Sequence, residues 1–336
     1  MDIIDVQGLR KSFRSRKGKK GPEIVEAVKG INLWVAKGEI FGFLGPNGAG
    51  KSTTLKMLCT LLPPDGGSAF IAGFDLATQA KRVRREIGYV SQAGGADQSA
   101  TGREDLLLQA GLFGLSAADA TRRAEELITA LELGPFVDRF TRTYSGGQRR
   151  KLDIALGMVH RPAVLFLDEP TTGLDPVSRA QLWEQIRRLR EQGTTVFLTT
   201  HYMDEADLLC DRLAIIDKGT IVTEGTPAEL KRRISGDILT LSVNHVENAM
   251  ELSRQALAHL EFVKESQAAD GRLTLVVSNG GEAIPVVLRT LESRGIGIAD
   301  ISLSRPSLDD VFLRMTGHSL GETAPRGATT LMVAKE

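Results

Sequence analysis

The residues with the clearest chemistry are Gly45-Pro-Asn-Gly-Ala-Gly-Lys-Ser-Thr53, which fit the pattern G-x-x-x-x-G-K-[ST]. An apolar stretch, Ile40 to Leu44, precedes them. A helical pattern opens at Lys51 and runs to about Leu61, where Pro63 and Pro64 stop it. In that strand–loop–helix setting, the backbone N–H groups of residues 48 to 53 can surround a phosphate, helped by the start of the helix. The expected contacts are Asn47, Gly48, Ala49, Gly50, Lys51, Ser52 and Thr53. Lys51 has the reach and charge for β- and γ-phosphates, and the Ser52 hydroxyl is a hard donor suited to Mg2+. The expected ligands are therefore the phosphates of a nucleotide, with Mg2+.

Two further segments bear on that chemistry. Asp168 and Glu169 follow the apolar run Ala163 to Leu167, and an acid closing a buried strand lies where α/β sheets bind ligands. Asp168 fits Mg2+ coordination through water or through Ser52. Glu169 fits a base that accepts a proton from an attacking water. The segment Thr143-Tyr-Ser-Gly-Gly-Gln-Arg-Arg150 is a second glycine-rich loop, ahead of a helix from about Gly146 to His160. With Ser145 as N-cap, that helix start is a second anion site.

The elements that must hold these residues alternate. From Gly38 to about Thr223, short apolar strands and helical patterns follow one another, which predicts a sheet covered by helices with antiparallel additions at both ends. Helices are expected over 101–133, joined at Leu115-Ser116 with Ser116 as N-cap, and over 177–192. A strand is expected at Thr194–Thr200, and a hairpin over Arg212–Gly225. Before the phosphate loop, Ile3–Phe13 reads as a strand leading into a basic stretch, about residues 10–20, best read as a solvated hairpin tip. The composition changes after Leu230. The predicted organisation is one domain over 1–230, with a helical part about 93–160, a small α+β domain over 231–317, and a loose tail over 318–336.

Composition narrows the function. The 336 residues carry 42 Lys and Arg against 42 Asp and Glu, so no overall field points to nucleic acid, and none is expected as a partner. Cys59 and Cys210 stand far apart without metal-binding spacing, which reads as reduced, buried thiols. Met1–Arg10 has an early acid and a short apolar stretch, unlike a secretory leader. No apolar run is long enough to span a bilayer, although the chain could sit against one through a partner.

The segments GPNGAGKST, TYSGGQRR, LFLDEP, TTGLDP and LTTHYMDEAD, in this order, resemble the ATP-binding subunits of ABC transporters over about residues 3–230. The resemblance implies an α/β P-loop NTPase fold with a helical subdomain, plus a small C-terminal α+β domain. It also implies ATP hydrolysis and a head-to-tail pairing with a second ATP-binding subunit, an identical chain being expected. Ser145, Gly146, Gly147 and Gln148 would then close on the phosphates held by the partner's phosphate loop.

The same resemblance makes Gln92 the loop glutamine that meets Mg2+ and the membrane-domain contact. Asp175 becomes the residue crossing the pair interface, and His201 the histidine that contacts the γ-phosphate. Phe13 is the aromatic expected to stack on adenine, although a Phe ending an edge strand is also ordinary packing. Tyr144 departs from the Leu common at its position, a change expected to alter packing more than phosphate contact.

TGREDLLLQAGLFGL, the TYSGGQRRKLDIALG stretch and PSLDDVFLRMTGH further resemble the daunorubicin-resistance branch of exporters. That branch implies export of a drug, antibiotic or other hydrophobic compound through a separate integral-membrane permease, from the cytoplasmic face of the membrane. Lipid or polysaccharide export, import, and a non-transport ATPase acting on nucleic acid or ribosomes are the competing readings. Phe312 and Leu313 near the C-terminus are candidates for docking, with core packing the plainer alternative.

Overall fold

The structure is a computed structural model that describes residues 2–15, 23–234, 236–243, 249–269, 272–304 and 306–316. The centre of the basic hairpin tip and the expected tail over 318–336 lie outside the described residues. The chain divides into two compact units, Met1–Thr226 and Pro227–Glu336.

The first unit opens with two long strands, β1 (Asp2–Ser15) and β2 (Glu23–Ala36), followed by β3 (Ile40–Leu44) and α1 (Lys51–Leu58). Then come β4 (Gly66–Ile71), β5 (Phe74–Asp75), α2 (Ala80–Glu86) and β6 (Ile87–Val90). Three helices follow: α3 (Gly102–Leu112), α4 (Ala117–Ala130) and α5 (Gly146–Met158). The unit closes with β7 (Val164–Asp168), α6 (Pro176–Glu191), β8 (Thr195–Thr200), α7 (Met203–Leu209), β9 (Arg212–Asp217) and β10 (Thr220–Gly225).

Two sheets result. One is antiparallel, in the order β2-β1-β4-β5. The other runs β10-β9-β3-β8-β7-β6, with β9, β3, β8, β7 and β6 parallel and β10 an antiparallel edge. Every residue of β3, β7 and β8 is buried. That is why these strands do not alternate apolar with polar residues: β3 and β7 read as near-continuous apolar runs, and β8 has an apolar centre between buried threonines. Between the sheets lies one apolar core, in which Phe43, Phe166 and Phe197 meet Leu9, Ile31 and Leu55. The C-terminal ends of β3, β7 and β8 come out side by side, and they carry Gly45, Asp168 and Thr200.

The helix after the phosphate loop ends at Leu58, a turn short of the expected Leu61. Thr60 takes a left-handed φ of 58°, so the backbone leaves the helix before Pro63 and Pro64 can act. Strands β4, β5 and β6 were not legible as separate elements, being short or interrupted by glycine. Thr101 and Ser116 cap α3 and α4 through their side chains, which sets the join between these helices at Leu115-Ser116.

The second unit contains α8 (Pro227–Ile234), β11 (Asp237–Val243), α9 (Ala249–Leu257), β12 (Val263–Ala269), β13 (Arg272–Val277), α10 (Gly280–Glu292), β14 (Ile298–Ser304) and α11 (Leu308–Thr316). Its antiparallel sheet, β12-β13-β11-β14, buries Leu239, Leu241, Leu273, Leu275 and Val277 in a core shared with Val287 and Leu291 of α10. Phe312 is buried, as packing requires, whereas Leu313 is exposed.

Candidate nucleotide site and its relatives

The phosphate loop is shaped by close approach. A Cβ on Gly45 would lie 2.2 Å from the Ile216 carbonyl oxygen. Gly50 has φ 108°, and a Cβ there would sit 2.5 Å from the Ala27 oxygen. Only glycine meets both demands. No side chain caps the start of α1 and no acid lies in its first turn, so its N–H groups face an open anion site.

A cavity of about 540 Å3 opens over this loop. Asn47, Gly48, Gly50, Lys51, Ser52 and Thr53 line one side of it; Gln92, Glu169, Thr172 and His201 line the other. Ala49 is buried behind the loop, its carbonyl accepting from Gly219 N–H at 2.9 Å.

Glu169 is the hub. Its Oε1 lies 3.3 Å from Lys51 Nζ, and its Oε2 lies 3.3 Å from His201 Nδ1. Gln92 Nε2 donates to Oε2 at 3.1 Å, and Thr172 Oγ1 donates to it at 3.3 Å. Lys51 also donates to the Gly45 and Pro46 carbonyls, at 2.8 and 3.2 Å. His201 Nδ1 is buried and makes no hydrogen bond among the described residues, the Glu169 contact at 3.3 Å included.

Burial pushes the Glu169 carboxyl up, but Lys51 and His201 together outweigh it and hold it below the ordinary value. Burial also lowers the Lys51 ammonium, more than the Glu169 and Asp168 carboxylates raise it. Each charge favours the ionised form of the other across the 3.3 Å contact, against the burial of both.

Asp168 Oδ1 accepts from Ser52 Oγ at 3.0 Å and from Thr199 Oγ1 at 2.7 Å. These hard oxygens suit Mg2+, which takes one or two protein donors and completes its shell with phosphate and water. Among the described residues no group of three or more His, Cys, Asp or Glu could hold a metal unaided. The donor set thus fits an ion that arrives with a nucleotide. Thr199 escaped the sequence reading; a polar residue interrupting the apolar end of TTVFLTT was its only signal.

The remaining expected residues lie outside this cavity. Phe13 is exposed on β1, opposite Val25, with Lys11 Nζ 5.9 Å from its ring centroid. Ala27, two residues beyond Val25, lines the cavity, so the hairpin leads from the phosphates toward the ring. Ser145 caps α5 in a reciprocal box with Gln148. Ser145 and Gly146 are exposed, and Gly147 is half-buried, with Ser178 3.0 Å from where its Cβ would be. Asp175 caps α6, accepting from Val177 N, Ser178 N and Ser178 Oγ; the Ser178 hydroxyl, then its N–H, hold its carboxyl below the usual range. Tyr144 is buried and its hydroxyl donates to the Phe136 carbonyl at 2.9 Å, a packing role.

Beside the loop of Gln92 lies a second cavity of about 610 Å3, lined by Leu61, Tyr89, Phe113 and Leu156 with Arg84 and Arg85. Cys59 lines it too; both cysteines are free and buried, and burial pushes their thiols well up. Among the described residues no helix is long and apolar enough to cross a membrane.

Residues 28–172 match the family model of the ABC transporter, and residues 225–316 match the ATP-binding protein DrrA1-3-like C-terminal domain. The daunorubicin/doxorubicin resistance ATP-binding protein DrrA of Streptomyces peucetius is 44% identical over 94% of this chain and 92% of its own length. The linearmycin resistance ATP-binding protein LnrL of Bacillus subtilis is 33% identical over 95% of this chain and 99% of its own. Among solved structures, a dimeric ATP-binding cassette in a post-hydrolysis state with ADP and Pi aligns at TM-score 0.59 and 26% identity, covering 66% of this chain and 98% of that one. With identity of this order along nearly the whole chain and both models matched in sequence order, the protein belongs to the ABC transporter ATP-binding subunits that carry a DrrA-like C-terminal domain.

Proposed function

We propose that this chain is the ATP-hydrolysing motor of an exporter and works as a head-to-tail pair of identical chains beneath a separate permease. One observation carries the reading. The cation, carboxylate, glutamine and histidine share a single cavity, while the second anion-binding helix start stands exposed outside it. Two copies related by a two-fold axis would bring each exposed α5 start to the other's phosphates, completing two sites at once.

When nucleotide enters, Lys51 exchanges Glu169 and the loop carbonyls for the β- and γ-phosphate oxygens. Its departure removes the Lys51 ammonium that holds the Glu169 carboxyl down, so the carboxylate becomes a stronger base as the water needs one. His201, 3.3 Å from Glu169, then bridges that carboxylate and the γ-phosphate. Gln92 moves with the cavity's contents because it donates to the same carboxylate oxygen. Ser52, Asp168 and Gln92 would hold Mg2+, which would neutralise charge developing on the phosphate oxygens. Phe13 gives adenine a flat exposed face, and Asp175 meets the partner chain beside its phosphate loop.

The mostly apolar, arginine-rimmed cavity beside Gln92 suits a cytoplasmic segment of the permease, which would place the chain at the cytoplasmic face of the membrane as a peripheral subunit. The relatives' names, daunorubicin/doxorubicin and linearmycin resistance, support a hydrophobic drug or antibiotic as cargo.

The test is Glu169→Gln, which keeps the shape and removes the base. It should lower turnover by about 10²–10⁴-fold while ATP still binds, and ATP should convert it to a stable dimer in light scattering. Undiminished turnover would remove Glu169 from the chemistry.

A further inference from the structure

Glu169 has an unusual backbone. Its φ is 45°, in the left-handed region that a residue with a Cβ rarely occupies and that persists only where surrounding contacts enforce it. On the N–H side the enforcement comes from Thr199, whose carbonyl and hydroxyl oxygens accept from Glu169 N at 3.1 and 3.0 Å. On the carbonyl side it comes from another element. Arg150, on the second turn of α5 and buried, donates from Nη2 to the Asp168 oxygen at 3.0 Å and the Glu169 oxygen at 3.2 Å. From Nε it donates to the Pro170 oxygen at 2.8 Å. One guanidinium therefore spans three successive carbonyls across the strained turn.

Its fourth bond goes elsewhere. Nη1 donates to the Ser91 carbonyl at 2.7 Å, immediately before Gln92. The same side chain thus fixes the backbone under both partners of the 3.1 Å contact between Gln92 and Glu169. One turn along α5, Asp153 accepts from Gly95 N and Ala96 N at 2.8 and 3.2 Å, holding the far end of the same loop. A planar fork with five donors can serve four carbonyls at once, which a lysine point charge cannot.

We propose that Arg150 is a positioning residue for hydrolysis: it holds the Glu169 turn in its left-handed form and sets the register of the Gln92 loop against it. The helix that begins with the exposed Ser145-Gly146-Gly147 loop thereby reaches into its own chain's catalytic turn, one α-helical turn behind the anion site it offers a partner. This inference rests on Glu169 acting as the base.

The test is a double-mutant cycle on the full chain. Arg150→Lys and Arg150→Gln are each made alone and on Glu169→Gln, with kcat, KM for ATP, single-turnover hydrolysis and thermal midpoint measured for all. The expected result is a kcat loss of at least about tenfold in both single variants, with KM within about threefold and the midpoint retained. On the Glu169→Gln background the same substitutions should cost nothing further, because the carboxylate they position is already gone. Unchanged kcat in the single variants, or a loss that multiplies fully onto Glu169→Gln, would overturn the proposal. Unfolding of both variants would assign Arg150 to the fold instead and also overturn it. If Glu169→Gln alone turns over normally, the fault lies with the base assignment and not with Arg150.

Discussion

Two helix starts in this chain offer N–H groups to an anion, and they are built in opposite ways. At α1 the preceding residue is Gly50, no side chain caps the first turn, and the buried Lys51 stands beside it with its own carboxylate partner. At α5 a reciprocal Ser145–Gln148 box caps the turn, and the loop is exposed. The first, the closed start, lies within a cavity walled by Lys51, Gln92, Glu169 and His201; the second, the open start, is a capped, solvent-facing donor set outside that cavity. In the proposed head-to-tail pair, a chain with both would be half of two sites, which accounts for a second glycine loop outside the chain's own cavity.

Lys51→Ala attacks the closed start and should have the largest effect. It removes the ammonium of the cavity and strands Glu169 without its cation, so hydrolysis should fall by about 10²–10³-fold and nucleotide affinity should drop as well. Steady-state turnover and a fluorescent-nucleotide titration check this. Gly146→Asp attacks the open start. Its Cβ would stand 3.5 Å from Leu174, an ordinary contact, so the fold should survive while a carboxylate faces the incoming phosphate. Turnover should fall by about 100-fold, with nucleotide binding by the single chain unchanged.

A smaller effect separates the two starts by pH. The Glu169 carboxyl is held below its ordinary value, so it contributes stability that is fully present above the unfolded-state value and is lost as pH falls through the lower folded one. Denaturation midpoints of wild type and Glu169→Gln should therefore converge as pH drops below about 4. No such convergence is expected between wild type and Gly146→Ala, which adds no titrating group at the other helix start. Tyr144→Phe should be mildest, costing about 1 kcal/mol through the lost bond to Phe136 and lowering the melting midpoint by about 2–4 °C, with turnover per folded chain intact.

The closed site was far more legible in the sequence than the residues that aim it. Lys51, Ser52, Asp168 and Glu169 sit in fixed order within short motifs whose chemistry depends on spacing. Thr199 and Arg150 carry no such signal. Thr199 is one threonine among four in TTVFLTT, and Arg150 is one of two adjacent arginines, with nothing in the sequence to say which of them the fold buries. In the second unit β12 was missed because Val263–Ala269 is a polar edge strand with no clear alternation. The expected length of α1 failed at Thr60, since a positive φ at threonine has no local sequence cue.

The most direct test of a divided site mixes two inactive chains. Lys51→Ala keeps an intact α5 start, and Gly146→Asp keeps an intact phosphate loop. In an equal mixture, half of the pairs are mixed and each carries one fully intact site, so about a quarter of wild-type turnover should return. A mixture that stays as inactive as its components, although cross-linking shows mixed pairs forming with ATP, would contradict a site shared between two chains.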